Sequence, residues 1–232
     1  MGATPFRIGF LLFPRLTQLD LTGPYEILAR LPGAELHLVA KTLEPVRSDK
    51  GLAILPTDTL ETCPPLDLVC VPGGIGVNDV LTDADYLAFL RWMASEARYV
   101  TSVCTGSLAL GAAGLLRGKR AACHWTSRDM LPRFGAIPVA ERVVIDGNII
   151  TGGGVTAGID FGLRVVAEIA GRDLAEAVQL GVEYDPAPPF ASGSPERARP
   201  EIVTRVKQAA KSFLGEREAA VERAAAALAA EA

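Results

Sequence analysis

The 232-residue chain is poor in metal-binding and redox groups: it has two histidines and four cysteines, at positions 63, 70, 104 and 123. No two cysteines form a C-x-x-C pair, and two histidines are too few for the usual zinc spacings. No apolar run approaches the ~18 residues of a membrane span. The opening residues Met1–Arg7 lack the apolar segment of a signal peptide, and Phe6 stands where a myristoylation signal needs Ser or Thr. With 23 basic against 27 acidic side chains the net charge is −4, and no basic stripe speaks for nucleic acid. These absences predict a cytoplasmic protein without membrane or nucleic-acid partners, in which disulfides are not expected. Two glycine-rich stretches also fail as cofactor motifs. Asp79 spoils the dinucleotide pattern that begins at Gly74 and Gly76, and Gly114–Arg120 has the wrong spacing for a P-loop. No cofactor and no metal is expected.

Strands and helices alternate along the chain. Arg7–Phe13 and Leu66–Val71 are nearly continuous apolar runs, as in strands buried on both faces. Glu35–Ala40, Leu52–Leu55, Tyr99–Val103 and Arg120–Cys123 also read as strands. Helices are expected over Leu19–Leu31, Asp83–Glu96 with Asp83 as N-cap, Ser127–Leu131 and Thr156–Ala170. Asp146-Gly147 joins Arg142–Ile145 to Asn148–Thr151 as a hairpin. The alternation predicts an α/β three-layer sandwich around a mostly parallel twisted sheet.

The proline-rich segment Tyr184–Pro200 reads as an extended arm, and Glu201–Ala232, rich in Ala, Glu and Arg, as helix. The expected organisation is one domain over residues 1–190, followed by an arm and helical extension over 191–232. That extension packs on the body or on a dimer partner, or else frays into solvent.

The densest chemical signal is Ser102-Val-Cys104-Thr-Gly106, at the end of a strand and the start of an apolar helical stretch reaching Leu116. This is the small-x-nucleophile-x-Gly pattern of a sharp strand-to-helix elbow, with cysteine as the nucleophile. A thiol at a helix N-terminus is expected to be stabilised as thiolate; the plain alternative is a buried structural cysteine. Cys70 and Cys123 read as packing residues and Cys63 as a loop residue. Asp20 follows the first buried strand. In open α/β sheets, sites form beyond the carboxyl ends of the strands, so Asp20, the Gly73-Gly74 turn and Cys104 are expected to converge there. The sequence leaves open whether Asp20 is functional or a helix cap.

Several motifs together resemble the ThiJ/PfpI superfamily, which has the class I glutamine-amidotransferase-like fold. They are Ile8–Pro14, Thr17–Pro24, Val71-Pro-Gly-Gly74, Thr101–Leu108, His124-Trp125 and Thr151–Asp160. The pairing of Asp20 with Cys104-Thr105 resembles the isocyanide hydratase branch; many relatives carry Glu where Asp20 stands. Proteases of the superfamily place His directly after the cysteine, and Thr105 occupies that position here, so a peptidase is disfavoured.

The resemblance implies that Cys104 attacks the terminal carbon of a small-molecule isocyanide to form a thioimidate. Asp20 would be the general acid and base, and Thr105 would tune the thiol or be a simple first-turn residue. Gly73, Gly74, Gly153 and Gly154 would supply close backbone and charge-stabilising amides. His124 and Trp125 would line the pocket, with a satisfied core role as the alternative for His124. The resemblance also implies a homodimer. The competing readings are a cysteine-dependent glyoxalase or deglycase on the same fold, and a ligand-sensing domain related to AraC-type regulators. The roughly 40 residues after Pro189 are too few for a regulator's DNA-binding region.

Overall fold

A computed structural model describes residues 5–231. Strand β1 (Phe6–Leu11) is buried along its last four residues whichever way the side chains point, as a strand covered on both faces must be. Helix α1 (Gln18–Leu28) leads to β2 (Ala34–Ala40), which pairs in parallel with β1. The chain then makes a small hairpin of β3 (Val46–Arg47) and β4 (Ala53–Ile54), outside the main sheet, and the edge strand β5 (Asp58–Thr59). It returns to the other side of β1 as β6 (Leu68–Val71). After the single turn α2 (Val77–Val80) and helix α3 (Ala84–Glu96), β7 (Tyr99–Val103) extends the sheet beside β6.

Helix α4 (Gly106–Ala112) follows, then the short pair β8 (Arg120–Ala121) and β9 (Ile137–Pro138), separated by a 3-10 turn over Arg128–Phe134. The hairpin β10 (Val143–Asp146) and β11 (Ile149–Gly152) places β11 parallel to β7. Helices α5 (Ala157–Ala170), α6 (Arg172–Gly181) and α7 (Pro200–Ala230) complete the chain.

The main sheet runs β10-β11-β7-β6-β1-β2-β5 and is parallel except for β10. Because β2 lies on one side of β1 and β6 on the other, strand order reverses at β1. A crevice opens there beyond the strand ends, where such sheets place their ligands. Helices α1, α5 and α6 pack together as one group, and α2, α3, α4 and α7 as another. The fold is thus the flavodoxin-like α/β sandwich expected, with a mostly parallel sheet. Glycines allow α1 and α5 to approach closely: a Cβ on Gly162 would sit 2.8 Å from Ile27 Cβ.

Several boundaries differ from the sequence reading. Asp83 is the N-cap expected, its carboxylate accepting the Asp85 and Tyr86 N–H groups. The helix after Cys104 stops at Ala112 rather than Leu116, because the chain turns through Gly114 at φ +81. The tight turn of the β10–β11 hairpin is Gly147-Asn148, with Gly147 at φ +63, one residue later than expected. Helix α6 was not foreseen; its buried stripe is only Ala175 and Val178, with Leu174 beside them. Helix α7 does not fray. It packs on α2, α4 and the 3-10 turn and buries Ala210, Arg217, Ala220, Val221 and Ala224.

One glycine in the elbow is required by space alone. A Cβ on Gly106 would stand 2.0 Å from the Val71 carbonyl oxygen, a backbone atom of the neighbouring strand end that cannot swing away. Gly106→Ala is therefore expected to destabilise the protein by about 3 kcal/mol. Denaturant unfolding beside the unsubstituted protein measures this, and an unchanged midpoint would contradict the close packing of α4 on β6.

Candidate active site

The elbow is built as the sequence pattern requires. Cys104 sits between β7 and α4 at φ +59, a left-handed conformation that a non-glycine residue adopts only when its surroundings impose it. The Cys104 N–H is shared between the carbonyls of Gly152 (3.0 Å) and Gly153 (2.7 Å), which ties the elbow to the end of β11. Ser107 Oγ donates to the Cys104 carbonyl at 3.2 Å. The backbone is thus held on both sides of the thiol.

Asp20 is fully buried and is not a helix cap. It lies in the first turn of α1, and its Oδ2 accepts the Gly73 N–H at 3.1 Å, across from the turn that follows β6. Its Oδ1 is buried without a hydrogen-bond partner. The Cys104 thiol is the titratable group that interacts directly with this carboxyl. Thr105 Oγ1 accepts the Gly74 N–H at 3.0 Å and reaches the Gly74 carbonyl at 3.4 Å. Gly73 and Gly74 therefore join the ends of β1, β6 and β7. The Thr17 N–H donates to the Gly73 carbonyl at 2.9 Å, and Gly74, at φ +137, bridges Leu16. Both glycine amides are used in holding Asp20 and Thr105, so they are not free to receive charge developing on a substrate.

Electrostatics separate this thiol from the ready thiolate that the helix N-terminus alone suggested. Burial, the Asp20 charge and the neighbouring Cys123 push the Cys104 thiol well above its ordinary value, and the Thr105 N–H offsets this only in part. Burial also lifts Asp20 from 3.8 to about 7, against the lowering effect of the thiol and the Gly73 N–H. Desolvation disfavours charge on both groups and outweighs the dipole of a seven-residue helix. The two groups act as a coupled pair that loses its first proton near neutrality.

A cavity of about 220 Å³ opens onto Cys104, with Asp20 buried behind it. Cys104, Thr105, His124, Ile75, Val155, Asp49 and Lys50 line it, together with Phe213 and Arg217 from α7. His124 bonds Thr126 Oγ1 through Nδ1 at 2.8 Å. Burial and the Arg217 charge hold its pKa down to about 4, so it is neutral at ordinary pH. Trp125, Gly153 and Gly154 line a neighbouring hollow of about 280 Å³, which shares His124 and Val155 with the first. Cys104, Asp20, Thr105, Gly73, Gly74 and His124 are therefore brought together, whereas Trp125 and the Gly153-Gly154 surface face the adjoining space. A larger groove of about 460 Å³ between Lys41, Phe89 and Trp92 holds no thiol or hydroxyl nucleophile.

Sequence reasoning missed the two α7 residues. Arg217 is 3% exposed and hydrogen-bonds Asn78 Oδ1 (3.0 Å), Ser127 Oγ (3.0 Å) and the Gly74 carbonyl (2.8 Å). The available signal was a charged residue inside the helix's apolar stripe, seven residues after Ala210 and four before Val221.

The DJ-1/PfpI family profile matches residues 6–168. An isonitrile hydratase of Pseudomonas putida is 58% identical over 96% of this chain and 97% of its own length. A THiJ/PfpI family protein of known structure from Pseudomonas syringae superposes with a TM-score of 0.91, at 47% identity over 94% of this chain and 90% of that one. The transcriptional regulator GbdR of Pseudomonas aeruginosa is 34% identical over 78% of this chain but only 51% of its own length.

Proposed function

The chain belongs to the DJ-1/PfpI family, and from that membership we propose that it is an isocyanide hydratase, a lyase that needs no cofactor to add water to an isocyanide and release an N-substituted formamide. The observation that carries this reading is the buried Cys104–Asp20 pair, whose cysteine lines a small cavity, in a chain alike over nearly its full length to an isonitrile hydratase. The regulator reading is weaker, because GbdR is 34% identical to this chain where the isonitrile hydratase is 58% identical.

The pair explains how a thiol of high pKa can react. Once it has lost one proton, the pair holds one proton and one negative charge between Sγ and the carboxyl group. Sγ bonds to the terminal carbon of the isocyanide while Asp20 passes the proton to the same carbon, giving the thioimidate R–N=CH–S–Cys104. Asp20, now ionised, takes a proton from water as the water oxygen attacks that carbon and hands it to the nitrogen, giving R–NH–CH(OH)–S–Cys104. The carbon–sulfur bond then breaks, the formamide R–NH–CHO leaves, and the remaining proton returns to the pair. This is covalent catalysis with a general acid and base in one carboxyl group. Thr105 keeps the Gly74 turn in register with the elbow, and Ile75, Val155 and Phe213 offer an apolar wall to the substituent R.

We propose, from the family it belongs to, that the protein is a cytoplasmic homodimer. Among the described residues no helix is long and apolar enough to cross a membrane. The direct test of function is incubation of the protein with an aryl isocyanide, following the formamide by absorbance. Turnover far above the buffer rate is expected. A folded protein that leaves the isocyanide untouched but consumes methylglyoxal would move the assignment to the glyoxalase reading.

A further inference from the structure

Arg217 is buried in a way that its visible partners do not account for. Its guanidinium donates to an amide oxygen, a hydroxyl and a backbone carbonyl, all of them neutral. No carboxylate pairs with it among the described residues, and the nearest aromatic is Phe213, one turn earlier on α7 at 5.7 Å. A cation taken out of water without a counter-charge is costly, and proteins retain one where an anion forms or binds. The groups whose negative charge would interact with Arg217 are the Cys104 and Cys123 thiols, and Arg217 lines the same cavity as Cys104. Its third hydrogen bond holds the carbonyl of Gly74, the residue whose N–H is bound by Thr105. The preceding residue, Gly73, donates to Asp20.

We propose that α7 is part of the active site. Arg217 is a positioning residue that clamps the Gly73-Gly74 turn and serves as the resident counter-charge for Cys104 whenever its proton has moved to Asp20 or to substrate. The geometry gives one side chain both tasks. The planar fork reaches Gly74, Asn78 on α2 and Ser127 before the 3-10 turn at once, which a lysine cannot do. The charge stabilises the singly protonated pair in its thiolate form inside a low-dielectric site. The family profile ends at residue 168, before α7 begins. The matches to the two relatives that cover 96% and 94% of the chain are too long to stop short of position 217. Arg217 thus lies outside the stretch that the family profile matches.

The proposal rests on Cys104 being the nucleophile, and the first readout of its test needs no substrate. Iodoacetamide labelling of Cys104, followed by peptide mass spectrometry across a pH series, reports thiolate formation directly. The ultraviolet absorbance of the thiolate, with Cys104→Ala as blank, gives a second reading. Arg217→Gln removes the charge but keeps a hydrogen-bonding side chain. It is expected to move the labelling midpoint upward by about one pH unit and to lower kcat by about 10- to 100-fold, with KM little changed. Arg217→Lys keeps the charge and loses the fork; its labelling midpoint should stay near the original while kcat falls several-fold. A folded Arg217→Gln protein with an unmoved midpoint would overturn the counter-charge role. Full kcat in Arg217→Lys would overturn the clamp, and this arm decides if the glutamine variant does not fold. Should no isocyanide be turned over at all, the labelling shift still tests Arg217 by itself.

Discussion

Cys104→Ala is expected to reduce isocyanide hydration by a factor on the order of 10⁴ to 10⁶, to the rate set by binding and surroundings alone. The size follows from the mechanism. The bond that activates the isocyanide carbon before water enters is made by Sγ, and no other thiol lines the cavity. Alanine removes only the sulfur, so the elbow, its left-handed backbone and the Gly152 and Gly153 hydrogen bonds have no reason to change. Circular dichroism and a thermal midpoint near the original value should establish this. Cys104→Ser sharpens the comparison. A hydroxyl in the same place is far harder to ionise, and no histidine adjoins it, since Thr105 follows directly and His124 is neutral and bonded to Thr126. Serine should therefore be nearly as inactive as alanine. Cys63 and Cys70, buried away from the cavity, serve as controls, and Cys63→Ala should retain turnover. Retention of activity within about tenfold by Cys104→Ala would remove the covalent step.

The elbow was legible because its signal is local. Five residues, Ser102 to Gly106, specify a strand end, a strained corner and a glycine that clears the Val71 carbonyl. Asp20 was half legible. Sheet topology placed it at the right edge, but only the folded chain distinguishes a carboxyl that bonds Gly73 from one that caps α1. The protonation state of Cys104 was misread for the same reason. The helix N-terminus is visible in sequence, whereas burial and an acidic neighbour 84 positions earlier are tertiary facts. Arg217 lies farther still from its targets, 143 residues from Gly74, in a helix whose docking or fraying the composition leaves open. Helix α6 was missed because its stripe is only two small buried residues wide, below what periodicity can separate from a loop.

Asp20→Asn is expected to do two opposite things, and together they identify the carboxyl group as the proton carrier. The amide is nearly isosteric, and its carbonyl can still accept the Gly73 N–H, so the turn should hold. It cannot take the thiol's proton. Hydration should therefore fall by about 10²- to 10⁴-fold. A rise in rate with pH around 7 is expected of the unsubstituted pair as it loses its first proton, and it should vanish with the carboxyl group. Stability should move the other way. In the unfolded chain Asp20 ionises at its ordinary 3.8, but burial raises this to about 7 in the folded protein. A carboxyl whose folded value is raised gives its full stability below the unfolded value and loses it as pH climbs through the folded one. The lift corresponds to about 4 kcal/mol, given up between about pH 4 and pH 7. An asparagine has nothing to ionise. The variant should match the original near pH 4 and exceed it by as much as about 4 kcal/mol near pH 8, read from denaturant unfolding at the two values. Equal stability at both would show that Asp20 is not held against its charge. Unchanged turnover would show that another group carries the proton. A variant both more stable and inactive would mean that the protein tolerates a buried acid next to its thiol because the reaction needs one proton shared between two groups held out of bulk solvent.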